Sequence, residues 1–169
     1  MTMKKEDVGH ALKTAARILP GIGSYQDRES SREADKALRM ELSERLDQLL
    51  GRAEWLKTDL ARKRAITHIQ RIEDVTRQLE KVSRMLEFAP RGYAPLFSRK
   101  QIDEEALERI YGYDKALTGL VKEIEDVIIA MTETGEIPSE EEVARVRKML
   151  SDMERRIDQR EAFLNTQPG

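Results

Sequence analysis

Apolar residues recur at intervals of three and four through most of the chain, the repeat of one face of an α-helix. In the first segment, roughly residues 4–19, Val8, Leu12, Ala15, Ile18 and Leu19 fall on that spacing and Ile22 follows. Lys4, Lys5, Lys13 and Arg17 decorate the flanks, and Pro20, Gly21 and Gly23 break the pattern. This predicts a short amphipathic helix and a turn. The second segment starts near Ser24 or Asp27. Its seam of Leu38, Leu42, Leu46, Leu49, Ala53, Leu56 and Leu60 has the a/d spacing of coiled coils. Trp55 and Leu50 flank the seam and are expected to widen it. Gly51 costs about 1 kcal/mol of helix propensity against Ala, a cost that a close helix contact would explain.

The seam is interrupted over residues 61–65 and resumes in a different phase with Ile69, Ile72, Val75, Leu79, Val82 and Leu86. No Gly or Pro lies between Arg52 and Ala89. One helix over residues 27–88 would run about 93 Å at the α-helical rise. A turn near 61–65 would instead give a helical hairpin. The hairpin is preferred, because a seam of that length needs a partner along its whole extent.

Residues 90–98 form the clearest loop, with two prolines, one glycine and the apolar anchors Tyr93, Leu96 and Phe97 to plug the end of a bundle. The fourth segment opens on Asp103, Glu104 and Glu105, acidic residues suited to a helix N-terminus. Leu107, Ile110, Leu117, Leu120, Val121, Ile124, Val127, Ile128 and Met131 give it a broad apolar face ending at Gly135. In the fifth, Ser139 and Glu142 read as a capping box. Val143, Val146, Leu150, Met153, Ile157 and Leu164 form its inward stripe. The expected fold is all-α: an antiparallel three- to four-helix bundle with coiled-coil character. Residues 1–23 would form an N-terminal amphipathic arm and turn, 24–165 the bundle, and 166–169 a tail.

Composition narrows the chemistry. The 169 residues contain no Cys and two His, which removes disulfides, thiolate catalysis and zinc–thiolate sites. Neither His10 nor His68 belongs to a Glu-x-x-His pair, so no di-metal bundle site is expected. No nucleotide-binding glycine loop or nucleophile elbow occurs. The reading is of a non-enzyme without cofactor. There is no apolar run of spanning length and no secretory signal pattern, so a cytoplasmic location is expected. The net charge of −2 conceals an asymmetry: residues 51–100 carry 12 basic and 6 acidic side chains, residues 101–169 carry 9 and 17. Either these regions pair inside one bundle, or they form two docking surfaces.

Three sets of residues are candidates for function. Val8, Leu12 and Ile18 of the arm could dock on a helical partner, a second copy or an anionic membrane surface. Arg28, Arg32, Asp35 and Arg39 form a dense charged face, read as ion-paired along the helix start or as a docking epitope. Asp114 falls in the inward line of Ile110, Leu117 and Val121, beside Tyr111 and Tyr113. It is read as a buried polar contact, an ion pair with a basic residue of the 62–71 region, or the centre of a ligand-binding or enzymatic site, unless the helix turns Tyr113 inward instead. The basic stretch Arg62, Lys63 and Arg64, with Arg71, Arg77 and Arg84, lacks interleaved aromatics, so nucleic acid is not an expected partner.

The stretch from Gly23-Ser24-Tyr25 through Glu29 to Arg32-Glu33-Ala34-Asp35-Lys36-x-Leu38-Arg39, with Arg91-Gly92-Tyr93 and Tyr111-Gly112-Tyr113-Asp114, is similar to bacterial all-helical proteins of no assigned activity. That resemblance implies a helical fold and brings no functional residues. In architecture alone, charged helices after an amphipathic N-terminal helix resemble phage-shock (PspA-like) membrane-remodelling proteins. The leading functional expectation is a non-enzymatic interaction or scaffold protein that self-associates. A peripheral membrane protein using residues 4–19 is the alternative.

Overall fold

In a computed structural model the described residues are 28–88, Leu96 and 104–166, with the side chains of 28–31 and 166 left aside. They form four helices and no strands: α1 Arg28–Arg62, α2 Ile66–Glu87, α3 Glu104–Glu133 and α4 Glu140–Thr166. The expected all-α bundle is therefore what forms. The seam residues of all four helices meet in one core, with Leu42, Leu46, Leu60, Leu79, Val121, Ile124 and Leu150 completely buried. Fully burying each such side chain stabilises by about 1.5–3 kcal/mol. Leu96, one of the expected loop anchors, is also completely buried.

The chain turns at residues 63–65, so the hairpin forms rather than the 93 Å helix. The turn contains no glycine. Arg64 takes the left-handed conformation, φ 58°. Ala65 N–H donates to the Leu60 carbonyl at 3.0 Å and Arg64 N–H to the Ala61 carbonyl at 3.1 Å. These are the two bonds of a Schellman motif, with arginine where glycine is usual. The second hairpin turns through Gly135, φ 65°. It enters α4 by the expected capping box: Glu142 N–H donates to Ser139 Oγ at 3.2 Å, and Ser139 N–H to Glu142 Oε2 at 2.8 Å.

α1 packs on α2 and α3, and α4 packs on the same two, so α1/α4 and α2/α3 face each other across the diagonals. The two hairpins lie side by side in the same sense. Arg45 of α1 pairs with Glu125 of α3, and Lys63 Nζ donates to the Gly135 carbonyl, so these helices run parallel. α2 and α4 run parallel too, stitched by Arg71–Glu140, Arg147–Asp74 and Lys81–Glu154. The basic middle and acidic C-terminal third thus pair within the bundle, along a parallel edge.

Candidate functional site

Two places carry more than core packing. One is a buried charge network at the end where α1 begins. Asp114 is completely buried, and Arg160, Asp35 and Arg39 are only 3%, 5% and 7% exposed. Arg160 Nε donates to Asp114 Oδ1 at 2.8 Å, and its Nη1 reaches Asp35 Oδ1 across the bundle at 2.8 Å. Arg39 Nε donates to Asp35 Oδ2 at 2.9 Å, and its Nη1 to the Leu86 carbonyl at 2.9 Å. That carbonyl is among the last four of α2, which have no intrahelical donor, and a cation there also suits the helix dipole. Two arginines and two aspartates make a neutral quartet that ties all four helices.

Core position explains each member. Asp114 continues the inward line of α3, and Arg160 fills the rung between Ile157 and Leu164 on α4. Polar residues at such a/d positions fix register in helical assemblies. The sequence reading of Asp114 as core-facing holds. Its expected partner in 62–71 does not: α1 and α3 are parallel, so Asp114 lies level with Asp35, at the opposite end from the 63–65 turn. Tyr111 and Tyr113 are half-buried against the core, and the Tyr113 ring centroid lies 5.9 Å from that of Phe163. The cavity beside Arg39 and Arg160 measures about 10 Å³, the space of one water. Glu161 borders it, and burial holds its carboxyl above the usual carboxylate range. Among the described residues each aspartate is held by an arginine, and the arrangement braces the bundle.

Of the two readings of the charged face of α1, ion pairing along the helix holds for Asp35 and Arg39. Asp35 and Arg39 are interior residues, so they are not part of an outer docking epitope. Arg32 is half-buried. Val8, Leu12 and Ile18, the side chain of Arg28 and the whole N-terminal arm lie outside the described residues.

The second place is a surface groove between α1 and α3, about 510 Å³ in volume, lined by Gln48, Gly51, Arg52, Trp55, Thr132 and Glu133. Trp55 does not widen the core as expected: it is 53% exposed on the outer side of α1. At 100° per residue it sits 200° from Ala53, which faces inward. Gly51 does not serve a close contact inside the chain either. A Cβ built there meets nothing within 4 Å, so its helix-propensity cost of about 1 kcal/mol has no compensation in the isolated fold. Arg52 and Glu133 line the same groove with opposite charge. Among the described residues neither forms an ion pair, whereas Arg45 and Glu125 on the same two helices pair with each other.

Among the described residues no group of three His, Asp or Glu side chains could hold a metal ion, and no helix is long and apolar enough to cross a membrane. Comparison with protein-family models, curated proteins and solved structures gave no match.

Proposed function

We propose that this protein is a non-enzymatic helical interaction or scaffold protein that self-associates through a helix face, the outward face of α1. The observation that carries the reading is Trp55. A tryptophan half exposed over a groove, beside two unpaired charges of opposite sign, is the type of anchor that dominates protein interfaces. The same helix adds Met40, 46% exposed, on the same outward line. The buried network supports the reading from inside, because its four charged groups are engaged in holding the helices together.

Sedimentation velocity on the full chain, from low to high micromolar concentration, tests this. The expected result is a mass that rises with concentration in the natural protein and stays monomeric in Trp55→Ser. The reading fails if the natural chain is monomeric throughout the range and the substitution changes nothing.

A further inference from the structure

We infer that the occupant of the α1 groove is a second copy of this chain, docked with the two α1 helices antiparallel and Trp55 of each copy seated over Gly51 of the other. The inference rests on the interaction reading above and narrows it to one partner and one geometry.

The outward face of α1 is patterned as a second seam. Met40, Glu44, Gln48, Gly51, Trp55 and Thr58 follow one another at steps of three and four, and all are exposed. Met40 and Trp55 are its large apolar side chains. On this seam Gly51 is a notch, since among the described residues nothing lies within 4 Å of a Cβ built there. Trp55, one turn further on, is a knob. A two-fold axis at the level of Ala53 places position 55 of each copy opposite position 51 of the other. The knob then meets the notch twice, as an isologous contact requires.

The charges select the same direction. The Arg45–Glu125 pair sets the level of α3 against α1. Eight residues further along each helix lie Ala53 and Glu133. A two-fold rotation that reverses the helices about Ala53 keeps α3 on the same side of the contact in both copies. Glu133 of one copy then lies beside Arg52 of the other, and these are the two groove charges with no ion pair among the described residues of their own chain. A parallel docking would carry α3 to the opposite side, leave both charges unmatched and set Trp55 against Trp55.

The test uses three full-length variants, each checked for helicity by circular dichroism, and reads dimer dissociation by sedimentation equilibrium. Arg52→Glu and Glu133→Arg should each weaken association by about 10-fold or more, because like charges then face each other twice. Mixing the two variants in equal amounts should restore affinity to near the natural value, since every facing pair is again opposite in sign. Gly51→Ala should weaken association while raising the thermal midpoint, because alanine fills the notch yet is the better helix former. If the chain dimerises but is indifferent to both charge reversals, or the mixture does not recover, this geometry is wrong while self-association stands. If the chain is monomeric at every concentration, both this inference and the reading beneath it fall.

Discussion

Replacing Arg160 by methionine should be among the most damaging single changes in the bundle. Methionine keeps most of the aliphatic volume, so cavity formation is a minor part of the effect. What it removes is the guanidinium shared by Asp114, completely buried, and Asp35, 5% exposed, each 2.8 Å away. Asp35 retains Arg39 at 2.9 Å, and Asp114 loses a guanidinium at 2.8 Å. Removing one partner from a buried ion pair costs about 3–5 kcal/mol, a large share of the ~5–15 kcal/mol that holds a typical domain folded. The double variant Asp114→Leu with Arg160→Met removes both charges of the pair, and apolar replacement of a buried pair is often neutral. It should be more stable than Arg160→Met alone by about 2 kcal/mol or more. Urea unfolding at pH 7 followed by far-ultraviolet circular dichroism reads both quantities. A cost below about 1 kcal/mol for Arg160→Met, the value of an exposed pair, would mean that water reaches Asp114. Losses that simply add in the double variant would mean that the pair is not coupled.

Other substitutions probe the local devices. Ser139→Ala should destabilise by about 1 kcal/mol through loss of the α4 cap, read as a shift in the urea midpoint. The Ser139 backbone N–H and hydroxyl hold Glu142 below the usual carboxylate range. Its contribution is therefore present above the unfolded-state value and lost as pH falls through the lower folded one, so the midpoint gap between Glu142→Ala and the natural chain should narrow in that acidic window. Glu161 is shifted the other way by burial. Its carboxylate costs stability as pH rises through the unfolded and then the folded value, so Glu161→Gln should stabilise at pH 7 and be neutral in acid below the ordinary Glu range. Arg64→Gly should raise stability by about 0.5–1 kcal/mol, because glycine accepts φ 58° without a Cβ penalty; thermal unfolding reads it.

The seams were legible because burial dictates them. From Leu38 to Leu60 and from Ile72 to Leu86 every apolar step of the sequence reading ends inside the bundle. The turn was legible only as a change of phase, since its stop signal is Arg64 in a conformation that glycine usually announces. The charge network was half legible. Asp114 stands out as a polar residue in an apolar line, but Arg160 does not, because apolar spacing alone carries the α4 stripe from Ile157 to Leu164 past the in-phase arginine. Its partner across the diagonal depends on how two hairpins stack, which no local pattern encodes. The outward line of α1 is hidden in the sequence for a related reason: Trp55 stands next to Leu56, and only the helical angle turns it to the surface.

The single tryptophan gives the most direct test of the central claim, that the outward face of α1 is where this protein docks. Trp55 emission and iodide quenching should be followed across the concentration range used for sedimentation. The expected result is a blue shift and protection from iodide in step with the rise in mass. Solvent-like emission and unchanged quenching at concentrations where the protein is assembled would contradict it.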